Sequence, residues 1–123
     1  MKRDWDIVRS VLEEIEGLGE QQFQGTQYLY GQTTPTAESD RVRHLLLLHD
    51  AGFVRGTEIQ SLGDIGIMSP ELTWEGHELL GTIRSRTVWA RVKTIAATKG
   101  LELSFEAVKA IGKVALQQVL DGT

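Results

Sequence analysis

The segment LTWEGHELLGTIRSRTVWARVK, residues 72–93, decides how this chain is read. It follows an extended run bounded by Pro70 and passes straight into a helix start. Thr73 is a good N-cap, and Glu75 places a carboxylate in the first turn, where the helix dipole favours it. Leu79, Leu80 and Ile83 then recur at helical spacing. Ser85 to Thr87 interrupt that pattern. Val88, Trp89, Val92 and Ile95 resume it in a second helix that ends at Lys99 and Gly100. From Ile83 to Leu101 the chain carries no acid, but it does carry Arg84, Arg86, Arg91, Lys93 and Lys99.

Upstream, the stretch HLLLLHDAGFVRG, residues 44–56, is the end of a helix that starts near Thr36 or Ser39, either of which can cap it. Val42, Leu45, Leu46 and His49 mark its inward face, widened by Leu47 and Leu48. Gly52 is its natural stop. A strand FVRGTEIQ follows, then the Gly-rich loop SLGDIGIMSP, then a short strand ELT, which together make a hairpin. Further upstream, a helix spans about Asp4 to Glu16, with Trp5, Val8, Leu12 and Ile15 on one stripe. Residues 21–31 read as a short strand containing Phe23, Tyr28 and Tyr30. At the other end Ser104 caps a last helix with Phe105, Val108, Ile111, Ala115 and Val119 on its stripe.

The order is helix, strand, helix, hairpin, helices. This predicts an α+β, predominantly helical fold over residues 1–123 as one domain. The expected arrangement is winged-helix-like, with a small antiparallel sheet and extra C-terminal helices. The loop Leu62 to Met68 stands where a wing would be. A chain of 123 residues is long enough to bury one core. No apolar run approaches the roughly 20 residues of a membrane span, so no membrane role is expected. Acids follow Lys2 and Arg3 at once, which does not suit a signal peptide. The lack of cysteine excludes disulfides, thiolate zinc sites and thiol nucleophiles, and it fits a reducing cytoplasm.

The opening MKRDWDIVRSVLEEIE, the central HLLLLHDAGFVRG and the LTWEGHE block resemble the bacterial and phage family called domain of unknown function 2513. SFEAVKAIGKVAL is similar to that family's closing helix. The resemblance implies a small protein of a phage, prophage or other mobile element. It brings no catalytic or binding residues with it.

Chemistry-bearing patterns are sparse. His44, His49 and His77 are the only histidines; His44 and His49, five apart, do not share a helix face. GHE at residues 76–78 lacks the second histidine of a metalloprotease helix. The stretch SLGDIGIM lacks a phosphate-binding lysine, and no serine sits in a nucleophile elbow. Neither a metal, a cofactor nor an enzyme activity is therefore expected.

Two basic groups remain. Arg41, Arg43 and His44 lie on the central helix with Arg55 just beyond it, placed to enter a DNA groove if that helix is a recognition helix. Glu38, Asp40 and Asp50 on the same helix oppose that reading. The second group is Arg84, Arg86, Arg91 and Lys93. It can meet phosphates, with Trp89 near a base, or form a solvated face beside the acidic first helix, with Trp89 packed inside. The phase that Trp89 shares with Val92 and Ala96 favours packing. The net charge of −4 weighs against a dedicated nucleic-acid binder. The expected function is a non-enzymatic binding module: a small DNA-binding regulator or, alternatively, a protein–protein adaptor or inhibitor of a host factor. Core packing is the default for Trp5, Trp74 and Trp89, and Trp74, at a helix start, is the candidate anchor for a protein partner. The last two helices offer a route to a homodimer.

Overall fold

The computed structural model describes residues 2–18 and 25–122. Among them are five helices and a three-stranded antiparallel sheet, an α+β and predominantly helical fold. The chain divides into two compact units, residues 1–77 and 78–123.

The first unit begins with α1, Trp5–Glu16. Asp4 caps it: its carboxylate accepts hydrogen bonds from the Asp6 and Ile7 amides at 2.9 and 3.3 Å. Val8, Val11, Leu12 and Ile15 are its buried positions, so the stripe read from sequence holds except that Trp5 is only half-buried. Strand β1 is Gln27–Tyr30. The expected strand began at Gln21; Phe23 and its neighbours lie outside the described residues.

Helix α2, Thr36–Asp50, starts without a side-chain cap. Pro35 occupies the cap position and has no acceptor side chain. Thr36 is already helical, and the Ser39 hydroxyl donates to the Thr34 carbonyl at 3.4 Å. Neither residue expected to cap the helix does so. At the other end Gly52, φ 88°, lets the chain turn back. The Phe53 amide donates to the Leu48 carbonyl at 2.9 Å and the Gly52 amide to that of His49 at 3.1 Å, the paired closure that glycine permits in the left-handed region. Phe53, 4% exposed, is thereby delivered into the core.

The hairpin differs most from expectation. Strand β2 is Val54–Ser61 and β3 is Asp64–Leu72. Ser61 pairs with Asp64, so only Leu62 and Gly63 form the turn, at φ 51° and 91°. These positive values match the right-handed twist of the flanking strands. The expected wing loop, Leu62 to Met68, is therefore almost all strand. Gly63 serves the turn, and Gly66 serves close packing: a Cβ on Gly66 would collide with the Tyr28 carbonyl of β1. Strand β3 lies between the other two. Pro70 sits within β3 where the β2 register shifts between Arg55 and Thr57, so its missing amide falls at an irregularity in the ladder.

Helix α3, Trp74–Arg84, begins in the first unit. The Thr73 hydroxyl accepts from the Gly76 amide at 3.1 Å and donates to the Gly52 carbonyl at 2.7 Å, the cap expected from sequence.

In the second unit, Ser85 breaks the helical run and caps α4, Arg86–Lys99, accepting from the Val88 amide at 3.2 Å. Ser104 likewise caps α5, Phe105–Leu120, through the Ala107 amide at 3.0 Å. Val88, Val92 and Ala96 of α4 and Val108, Ile111 and Ala115 of α5 are buried. Gly112 lies against Thr82, with room for a Cβ only 3.1 Å from its methyl group. No helix among the described residues is long and apolar enough to cross a membrane.

Candidate functional site

The two basic groups have different fates. On α2, His44 is 1% exposed. Its Nε2 accepts the Asp4 amide proton at 2.9 Å, which assigns the ring proton to Nδ1, donating to the Asp40 carbonyl at 2.6 Å. Both ring nitrogens are used, and no groove edge can reach them. His44 is therefore a buried connector between α1 and α2 and not a base-reading residue.

Arg41 points back to α1. It donates to the Ser10 hydroxyl and pairs with the Glu14 carboxylate, both at 2.9 Å. The same carboxylate holds Tyr28 of β1. Burial first, and then the hydrogen bond and charge of Glu14, push the Tyr28 phenol up to about 12, with Arg41 opposing. The guanidinium of Arg43 lies 5.0 Å from the Tyr30 ring centroid. Arg55 pairs across the hairpin with Glu71 at 3.5 Å. Each of these cations thus has a neighbour, with Arg41 held most closely, while Arg43 and Arg55 remain exposed.

The second group is arranged differently. Arg84, Arg86, Arg91 and Lys93 are all exposed. Arg84 ends α3 and is held by a contact of its own. For Arg86, Arg91 and Lys93 there is no ion-pair partner among the described residues. On α4 the buried Val88, Val92 and Ala96 define the inner face. Arg86 and Lys93, two turns apart, flank one side of the outer arc, and Arg91 flanks the other. Between them stand Ala90, Thr94, Ala97 and Thr98. The Thr94 hydroxyl donates to the Ala90 carbonyl at 3.0 Å, and that of Thr98 to the Thr94 carbonyl at 2.9 Å. The arc therefore shows methyl groups between cations. Trp89 is half-buried at its edge.

Charge is divided accordingly. Residues 1–77 hold thirteen Asp and Glu against six Lys and Arg, whereas residues 78–123 hold four against seven. The net charge of −4 conceals an acidic unit and a basic one.

Trp74 departs from the packing expected of it and is 77% exposed. His77 is open as well: its side chain is 54% exposed, with Nδ1 4.0 Å from Glu16 Oε2, beside a groove of about 330 Å³ floored by Ile15, Pro70 and Leu72. Among the described residues one trio, His49, Asp50 and Glu58, brings its donor atoms within metal-binding range of one another.

A family model described as "Hypothetical protein (DUF2513)" matches residues 2–102. The chain belongs to this family. That stretch runs from α1 through α4 and contains every residue of both basic groups. An "Uncharacterized protein" of Haemophilus influenzae is 37% identical over 120 residues, covering 98% of this chain and 99% of the relative. Its coverage extends the likeness through α5. No solved structure matches the chain.

Proposed function

We propose that this DUF2513 protein is a non-enzymatic, DNA-binding regulator of a phage or mobile element, and that α4 carries the contact to the phosphate backbone. The observation behind this is the outer arc of α4, where Arg86, Arg91 and Lys93 stand exposed and unpaired in an acid-free segment. A rise of 1.5 Å per residue puts Arg86 and Lys93 roughly 10 Å apart along the axis, close to the roughly 12 Å width of a major groove. The methyl surface between them presents no buried charge to a duplex. Further support comes from the sheet. The strand order β1-β3-β2, with the hairpin after a central helix, is compatible with the winged-helix-like arrangement expected from the sequence.

The test is the salt dependence of binding to random and operator-sized duplexes. Each lost phosphate contact lowers the slope of log K against log salt by about 0.9. The Arg86→Ala, Arg91→Ala, Lys93→Ala triple variant is therefore expected to flatten the slope by about 2.7. Between 50 and 200 mM salt that amounts to a difference of roughly 40-fold. Arg41→Ala with Arg43→Ala is expected to leave the slope unchanged. Absence of binding at low salt, or a slope insensitive to the triple variant, refutes the reading.

A protein–protein adaptor is the second reading, favoured by exposed Trp74 at the start of α3. Aromatic anchors of this kind concentrate binding energy at interfaces. Trp74→Ala is then expected to abolish co-purification of a host partner while the α4 variant retains it.

A further inference from the structure

We propose that His49, Asp50 and Glu58 form a binding site for a divalent first-row transition-metal ion, with Zn²⁺ the best match to the donors. His49 and Asp50 end α2, and Glu58 projects from β2. Their ligand atoms all lie within 4.8 Å of one another. His49 Nδ1 is 3.3 Å from Glu58 Oε1 and 3.8 Å from Asp50 Oδ1. Two donors each about 2.1 Å from a tetrahedral ion stand about 3.4 Å apart. The trio is therefore within a small side-chain adjustment of a three-ligand site.

A second observation comes from the imidazole itself. His49 Nδ1 is the buried side-chain nitrogen or oxygen without a hydrogen-bond partner among the described residues. Such an atom is ordinarily satisfied, because leaving it bare forfeits its hydration for nothing. Here it faces two carboxylates that repel each other, and a cation between the three answers both costs. The C-terminus of α2 adds the negative end of a helix dipole at the same place. One nitrogen and two oxygens suit a borderline ion better than the all-oxygen shell of calcium or magnesium. The backbone on both sides is fixed, by the Gly52 closure of α2 on one and by the β2–β3 ladder on the other. Three protein ligands leave an outward coordination position for water. An ion here ties the end of α2 to β2 and is independent of the α4 surface.

Spacing along the helix excludes a His44–His49 pair, and that conclusion stands because His44 is spent on Asp4 and Asp40. The third donor lies eight residues past Asp50, beyond a reversal of the chain, where periodicity gives no sign of it.

The experiment is calorimetric titration of the chelator-treated full-length protein with Zn²⁺, together with nitrogen NMR of its three imidazoles. One ion per chain is expected, with the His49 ring nitrogens shifted and those of His44 and His77 unmoved. Glu58→Gln and His49→Gln are each expected to weaken binding by at least about tenfold, in line with losing a ligand. Glu58 is exposed, so its variant folds, which metal-free circular dichroism checks. No saturable binding overturns the proposal. So does binding that survives both variants, or one that disappears with His77→Gln instead. Equal affinity for Mg²⁺ and Zn²⁺ also overturns it, because the imidazole would then not be a ligand.

Discussion

His44→Ala separates the buried reading of that residue from a base-contacting one. The imidazole is 1% exposed, accepts the Asp4 amide proton at 2.9 Å, and meets the Asp40 carbonyl at 2.6 Å. Truncation empties a filled core position and removes both hydrogen bonds. The Asp40 carbonyl is within α2, and Asp4 is at an exposed helix start where water can reach its amide, so the polar loss is at the low end. The polar part is then about 1 kcal/mol and the cavity part about 2, together about 3 kcal/mol. For a chain of this size each kcal/mol moves Tm by roughly 4 °C, so the variant is expected to melt about 12 °C lower. His44→Gln, whose amide oxygen can accept from Asp4, is expected to recover part of that. Differential scanning calorimetry measures both. DNA affinity, measured well below the transition, is expected to change less than twofold. A Tm within 3 °C of the parent, or binding lost with Tm intact, refutes the argument.

The Tyr28 phenol is raised above its ordinary 10 to about 12, so its stabilising contribution is complete below pH 10 and disappears as pH rises through 12. Tyr28→Phe is expected to flatten the urea-midpoint loss across that window; an unchanged pH profile counts against the network. Leu62→Asn converts a strained left-handed leucine into the residue that such turns prefer. It should stabilise the hairpin by about 1 kcal/mol in chemical denaturation, and a destabilised variant would contradict the two-residue turn. Gly66→Ala drives a methyl into the β1 backbone and is expected to cost about 3 kcal/mol, with hydrogen exchange rising first in β1; a neutral outcome removes β1 from its place beside β3. Leu116 and Leu120 are exposed four residues apart on α5, so if two copies pair there, Leu120→Asp shifts sedimentation from dimer to monomer, and an unchanged profile removes that interface.

What the sequence revealed was local in origin. Thr73 and Ser104 cap the helices they were expected to cap, because a cap is a contact across three residues, and Ser85, read only as a break, caps α4 in the same way. The failures have non-local causes. The SLGDIGIMSP stretch has the composition of a loop, yet Gly66 is glycine because Tyr28, far upstream, presses its carbonyl there. His44 reads as a polar residue on a helix, and only Asp4, forty residues away, explains its burial. Arg41 and Arg55 read as free cations, but their acids lie on other elements. For Trp74 packing is the default reading, yet its place at a helix start also marks it as the candidate anchor, and the structure leaves it exposed.

The division of charge bears most directly on function. A solvated face normally mixes signs, because neighbouring opposite charges lower one another's energy. The first unit follows that rule, engaging Arg41, Arg43 and Arg55 locally with a carboxylate or an aromatic ring. On α4 the rule lapses. Arg86, Arg91 and Lys93 have no acid within their own segment, and the helix accepts their mutual repulsion. At about 10 Å through water that repulsion is small, a few tenths of a kcal/mol per pair, so it is no bar to folding. It nonetheless leaves three full charges available to a polyanion, whereas an acidic partner protein would have to align separate carboxylates with each. A duplex supplies charge at a regular spacing along every groove, so the same arc finds partners in any register. The acidic first unit then opposes binding in any orientation that brings it near phosphate. This favours presentation of α4 and predicts weak, strongly salt-dependent affinity for random duplex.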